Sequence, residues 1–64
     1  MTMAEEKKLR HLIARFNNVK HSSVDVLCAE TTTNDKRRVY AKIRGFEYGF
    51  LFQGNNIVES WVVV

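Results

Sequence analysis

The N-terminal part of the chain has apolar residues at helical spacing. They fall at positions i, i+3, i+4 and i+7, which places them on one face of a helix. The residues of this face are Leu9, Leu12, Ile13 and Phe16. Thr2 is placed to cap the helix, with Glu5 three residues on to complete a capping box. The pair Asn17-Asn18 indicates the end, because asparagine tolerates the left-handed conformation that ends helices. We therefore predict an amphipathic helix over residues 3–18.

From residue 23 onward, apolar residues alternate with polar ones, which is typical of β-strands. We predict a first strand over residues 23–33, in which Val24, Val26 and Cys28 share one side. Residues 37–52 predict two more strands joined by a tight turn at Gly45-Phe46. A fourth strand is predicted over residues 57–64, after the turn residues that follow Gln53.

Two turns set the predicted register of the first three strands. A two-residue turn at Asn34-Asp35 pairs Val26 with Ile43, Cys28 with Ala41 and Glu30 with Val39. A turn at Gly45-Phe46 pairs Ala41 with Phe50 and Val39 with Phe52. Both registers place apolar residues on one face of the sheet. The predicted core beneath the helix consists of Val24, Val26, Cys28, Val39, Ala41, Ile43, Phe50 and Phe52. Cys28 is thus expected to be a buried small hydrophobe.

Two registers are open for the fourth strand. A two-residue loop at Gly54-Asn55 stacks Tyr48 on Trp61. A three-residue loop instead places Trp61 over Gly49 and sets Val58, Ser60 and Val62 behind Phe52, Phe50 and Tyr48. We prefer the second, because glycine has no side chain and leaves room for an indole. Either register gives an α+β fold, with one N-terminal helix packed on a four-stranded antiparallel β-meander.

The length of 64 residues predicts a single domain, residues 1–64. An apolar content of 45% with 27% charged residues favours a folded chain. So short a chain buries only about 60% of its unfolded surface, so its stability is marginal. Cys28 has no partner for a disulfide, and the Cys and His spacing fits no zinc site, so no metal or cofactor is expected. Oligomerisation or a binding partner is the remaining source of stability, and we expect a homodimer.

The sheet face away from the helix is the candidate binding surface. By the predicted registers it mixes aromatic and aliphatic groups with cations, and a patch of that composition usually marks an interaction site. The candidate residues are Arg38, Tyr40, Lys42, Arg44, Leu51 and Trp61. The last strand adds an apolar sheet edge that lacks the lysine or proline that normally protects one.

Three functions are open for this face. It could be covered by a second copy of the chain. The leading hypothesis is a regulatory nucleic-acid-binding module, in which Tyr40 and Trp61 stack on bases while Arg38, Lys42 and Arg44 hold phosphates; the net charge of +3 permits this. The alternative is a protein-binding inhibitor or adaptor, of the compact kind that phages and mobile elements encode. It would mask a partner through Tyr40, Leu51, Trp61 and the C-terminal strand.

Catalysis and membrane insertion are not expected. The sequence has no phosphate loop, nucleophile elbow or carboxylate pair at credible spacing, so we predict neither an enzyme nor a small-molecule substrate. The apolar stretches are far shorter than the ~20 residues that span a bilayer. There is no signal peptide, and with an unpaired cysteine this predicts a cytoplasmic protein.

Overall fold

The chain forms one helix and four strands, connected in sequence order. In a computed structural model that describes residues 2–32 and 35–63, α1 spans Met3–Asn17 and a single 3-10 turn follows at His21–Ser23. The strands are β1 (Val24–Thr31), β2 (Lys36–Ile43), β3 (Phe46–Gln53) and β4 (Asn56–Val63). They form one antiparallel sheet in the order β1-β2-β3-β4. The predicted α+β fold is confirmed. Within the described residues, no helix has the length and apolar character needed to cross a bilayer.

The ends of α1 are fixed by the residues that the sequence indicates. The Thr2 hydroxyl accepts a hydrogen bond from the Glu5 amide at 3.1 Å, which satisfies one of the free N–H groups of the first turn. The Glu5 carboxylate pairs with Arg37 on β2 and so ties the start of the helix to the sheet. At the other end Asn18 is left-handed, with φ 55°, and the amide of Val19 donates to the Ala14 carbonyl at 3.0 Å.

The core lies between α1 and one face of the sheet. Three helix residues, Leu9, Ile13 and Ala14, are buried in one cluster with strand residues. The buried strand residues are Val24, Val39, Ala41, Ile43, Phe50 and Phe52. Phe16, the last residue of the predicted apolar stripe, stays half exposed and touches the edge of Phe50.

The first hairpin differs from the prediction because β1 contains a bulge. The pairing changes between Val26 and Cys28, so that Val26 pairs with Ala41 while Cys28 pairs with Tyr40. An extra residue in one strand reverses which side the following residues face. Cys28 is consequently exposed, and Ala29 packs against the core in its place. The prediction of a buried Cys28 is wrong, and so are the predicted pairs Val26–Ile43, Cys28–Ala41 and Glu30–Val39.

The turn of that hairpin was predicted at Asn34-Asp35, and Asn34 lies outside the described residues. The flanking Thr32 donates to the Lys36 carbonyl from its amide at 2.9 Å and from its hydroxyl at 2.7 Å. Thr32 therefore lies opposite Lys36, in the same register as the Cys28–Tyr40 pair that follows the bulge.

The turn between β2 and β3 is displaced by one residue from the prediction. Ile43 pairs with Phe46, so the two turn residues are Arg44 and Gly45, with φ of 52° and 86°. Two left-handed residues define the turn whose twist suits a hairpin best, which accounts for the shift. Val39 then pairs with Phe50 and not with Phe52. The pairing moves by two positions, so every side chain keeps its predicted face.

The last hairpin combines the two registers that the sequence left open. Gln53 pairs with Asn56, so the loop is the two-residue Gly54-Asn55 of the first alternative. A second bulge then shifts the pairing, and Gly49 faces Trp61 as the second alternative predicts. The predicted pairing of Val58 with Phe52 is wrong, because Phe52 pairs with Ile57.

Candidate interaction surface on the open face

The side of the sheet away from α1, here called the open face, collects five of the six candidate residues. Alternate residues of β2 are buried beneath the helix, so the residues between them point the other way. Cross-strand pairing then brings Leu51 opposite Arg38, and Gly49 between Tyr40 and Trp61. The candidate residues that share this face are Arg38, Tyr40, Lys42, Leu51 and Trp61.

Trp61 and Tyr40 form an aromatic centre on the open face. The indole of Trp61 lies directly on Gly49, so closely that a Cβ added there would overlap the ring. The rings of Tyr40 and Trp61 meet edge to face, with centroids 6.2 Å apart. Leu51 is partly buried two residues along β3 from Gly49. Tryptophan and tyrosine carry much of the binding energy at protein interfaces, because each presents a large, rigid surface with a polar end.

The charges of the open face are balanced. Arg38 pairs with Glu30 at 3.7 Å, and Lys42 stands between Asp25 on β1 and Glu47 on β3. Glu59 lies opposite Leu51. Together with Lys36, the face has three cations and four carboxylates, a formal charge of −1. The cations of β2 alternate visibly in the sequence, which suggested a basic face. Which acidic residues lie beside them depends on strand register.

Arg44 does not join this group. It occupies the β2–β3 turn in the left-handed conformation, where the strand alternation no longer applies. Its side chain lines a cavity of about 300 Å³ together with Asn17, Val19 and Tyr48. Since Val19 and Tyr48 pack against the core, this cavity lies on the helix side of the sheet.

Much of the net positive charge lies on α1 and the turn that follows it. The His11 and His21 rings stack there, with centroids 4.4 Å apart. Partial loss of hydration lowers the pKa of His11 below its usual 6.5, and repulsion from His21, Lys7 and Arg10 lowers it further. No spacing rule could have paired His21 with His11 across the end of a helix. In the described part of the chain, no group of three or more His, Cys, Asp or Glu residues could hold a metal ion.

The two sheet edges are formed by β1 and β4. No residue of β4 is buried, and Val58 and Val62 are both exposed. Each edge strand contains one bulge, a feature that disturbs the regular pattern another strand would need for pairing. The edge of β4 is therefore open to contacts but interrupted at Val58.

Comparison with known proteins adds no functional information. No family model matches this sequence, and no curated protein or solved structure matches it. A functional proposal for the chain therefore depends on the chemistry of the surfaces described above.

Proposed function

We propose that the chain is a small protein-binding module, of the inhibitor or adaptor kind, that docks a partner protein on its open face. The observation that supports this most is the aromatic centre, in which Trp61 packs on Gly49 beside Tyr40. Aromatic residues surrounded by a polar, charged rim are typical of the energetic centre of a protein interface.

The charge balance favours a protein partner over nucleic acid. Binding to a phosphate backbone depends on cations that are free to replace counterions. On the open face, Arg38 already pairs with Glu30, and Lys42 has a carboxylate opposite it on each neighbouring strand. A protein surface with its own mixture of charges can complement such a pattern, whereas a polyanion meets repulsion from the four carboxylates.

The dimensions of the molecule suit a partner that covers the whole face. The chain measures 31 × 27 × 18 Å, and the 18 Å dimension is the combined thickness of the helix and the sheet. A standard protein interface buries about 800 Å² on each partner, which is close to the area of one broad side of this molecule. A small contact at Trp61 alone would fall short of that area.

Nucleic-acid binding remains a second candidate, with α1 as the contacting element. The observation in its favour is the group of cations around the stacked histidines, namely Lys7, Arg10 and, at acidic pH, His11. Binding through about four phosphate contacts should weaken well over tenfold between 50 and 200 mM salt. Docking on the open face should change little over the same range, because its centre is aromatic.

Capture from a lysate with a matched pair of variants tests the proposal. The tagged chain is incubated with nuclease-treated lysate, and bound proteins are quantified by mass spectrometry. Leu51→Lys places a charge beside the aromatic centre, whereas Met3→Lys makes the same change on the exposed start of α1. We expect one partner protein to be recovered with the native chain and with Met3→Lys, and at least tenfold less with Leu51→Lys.

Two results would contradict the proposal. One is equal recovery with Leu51→Lys, provided that circular dichroism shows the variant folded. The other is recovery only from a parallel lysate that receives no nuclease, which would support the nucleic-acid candidate. Sedimentation of the purified chain at rising concentration tests the predicted homodimer separately. If the native chain dimerises and Leu51→Lys does not, the partner on the open face is a second copy.

A further inference from the structure

The helix side of the sheet is only partly covered. Four strands about 4.8 Å apart make a sheet roughly 14–19 Å wide, while one helix with its side chains is about 10–12 Å across. α1 packs closest to β1, the strand at one edge. On the opposite edge, β4 has no buried residue. The helix side of β4 is therefore only partly covered, and we call the strip along β4 beside α1 the flank groove.

Apolar side chains line the flank groove. Phe16 is 52% exposed, Phe46 64% and Val62 57%, although all three lie on the side of the sheet that carries the core. Phe16 meets the buried ring of Phe50 with centroids 6.2 Å apart, and Phe50 meets Tyr48 at 6.3 Å. Tyr48 in turn pairs with Val62 and lines a cavity with Phe46. A continuous apolar strip of this kind is typical of a docking surface and not of scattered exposed residues.

Cavities mark the two ends of the groove. A cavity of about 380 Å³ is lined by Leu12, Arg15, Phe16, Asn55, Asn56 and Ile57. A second, of about 300 Å³, is lined by Asn17, Val19, Ile43, Arg44, Phe46 and Tyr48. Among the described residues that line them there is no carboxylate. Each cavity has one arginine, and neither Arg15 nor Arg44 forms an ion pair with any described residue.

We infer that the flank groove binds an acidic amphipathic helix of a partner protein. A helix packed beside α1 at the usual 8–10 Å between axes, about one helix diameter, would lie over β4 and project beyond the sheet edge. The eight-residue strands beside it are about 26 Å long, which corresponds to roughly 15–18 helical residues. The apolar strip would receive the hydrophobic face of that helix, and Arg15 and Arg44 would pair with carboxylates near its two ends.

The charges argue against a second copy of the chain as the occupant. Its only helix, α1, has basic residues along its exposed sides, including Lys7, Lys8 and Arg10. Docking that helix in the groove would bring these cations towards Arg15 and Arg44. The inference concerns a different surface from the open face and does not depend on the function proposed for that face.

A designed peptide serves as the probe. The peptide, about 16 residues long, carries leucine at helical spacing of three and four, glutamate beside the leucines and alanine elsewhere, with a fluorescent label. One control peptide replaces every glutamate by lysine, and another scrambles the leucine positions. We expect fluorescence anisotropy to show at least tenfold tighter binding of the acidic peptide than of either control.

Variants of the chain locate the binding. Arg15→Ser should weaken binding of the acidic peptide at least fivefold, and Lys7→Ser, its matched control towards the other flank of α1, should leave it unchanged. Phe46→Ser should likewise weaken binding, with Met3→Ser as control. All four residues are exposed, so these variants should fold. Backbone amide resonances of Phe16, Phe46 and Val62 should shift on titration, while the Trp61 indole resonance should not.

Four results would overturn the inference. The first is no binding of the acidic peptide at about 1 mM, and the second is equal binding of the lysine peptide. The third is a shift at Trp61 in place of the groove residues, which would assign the peptide to the open face. The fourth is a dimer of the chain that the acidic peptide dissociates in sedimentation, which would make a second copy the occupant.

Discussion

The two central strands and the two edge strands of this sheet have different roles. β2 and β3 contribute six buried residues, counting Gly49 beneath Trp61, are paired on both sides and contain no irregularity between them. β1 contributes one buried residue, β4 none, and each contains a bulge. The difference teaches that the stability of this small chain is concentrated in its centre. The edges are then free to vary their geometry and to present side chains for binding.

The bulges have opposite consequences at the two edges. In β1 the extra residue turns Cys28 outwards and Ala29 inwards, which leaves a small side chain under the helix. In β4 the extra residue brings Trp61 onto Gly49 on the open face. One bulge therefore adjusts the core, and the other builds the aromatic centre of the candidate surface.

The largest effect should come from a cavity in the centre. Phe50→Ala removes a fully buried ring and should cost about 3–5 kcal/mol, close to the whole stability of a domain this small. Val62→Ala, on the edge strand opposite Tyr48, should cost less than about 0.5 kcal/mol because Val62 is exposed. Urea unfolding followed by circular dichroism measures both. Similar losses for the two variants would remove the distinction between centre and edge.

The next largest effect tests how closely the edge packs on the centre. Gly49→Ala places a methyl group inside the Trp61 indole and should cost about 1–3 kcal/mol. The same change made in a Trp61→Ala background should cost nearly nothing, since the ring that it meets is gone. A double-mutant cycle of unfolding free energies measures this coupling. Equal costs in both backgrounds would mean that Trp61 does not lie on Gly49.

A smaller effect is expected at the turn between the central strands. Arg44 holds a left-handed conformation that asparagine adopts more readily, and Asn-Gly is the preferred sequence for this turn. Arg44→Asn should therefore stabilise the chain by about 0.5–1 kcal/mol, whereas the β-branched Arg44→Val should destabilise it. Thermal melts compare the two. If the flank groove binds acidic helices, Arg44→Asn should also weaken binding of the acidic peptide. The variant would then be more stable than the native chain but bind the peptide less tightly.

The smallest effect lies outside the sheet, at the stacked histidines. The pKa of His11 is lowered in the folded chain, so below pH 6.5 the unfolded chain binds more protons than the folded one. Stability should therefore fall as the pH drops through 6.5 towards the folded pKa. His11→Gln should reduce the difference between the urea midpoints at pH 7.5 and pH 5.5. An unchanged difference would assign the acid sensitivity to other groups.

The sequence predicted the parts of the structure that follow from regular periodicity. The helix stripe, its caps and the faces of Val39, Ala41 and Ile43 follow from spacings of 3.6 and 2 residues. The bulges could not be predicted. One extra residue reverses the side on which the following side chains lie, and no residue type in the sequence signals it. Cys28 was misplaced for this reason. Gly49 beneath Trp61 was predicted correctly, since the absence of a side chain is itself visible in the sequence.

The sequence predicted most of the residues of the candidate surface but not the net charge of that surface. Five of its residues alternate on strands whose faces are fixed by the core, so their common side followed from the pattern. Their acidic neighbours, Glu30 beside Arg38 among them, depend on register, which turn length and bulges decide. Arg44 was wrongly predicted on the open face, because a turn residue does not follow strand alternation. The flank groove was not predicted, since the width of a sheet relative to one helix cannot be read from periodicity.

The outward position of Cys28 gives the chain a ready point of chemical attachment. It is the only cysteine in the sequence, it is exposed, and it lies opposite Tyr40. A maleimide dye or nitroxide can therefore be coupled to the native protein at one defined place. That place is on β1, opposite Tyr40, whose ring contacts Trp61. Quenching or line broadening at that label would report occupancy of this side of the molecule without a single engineered mutation.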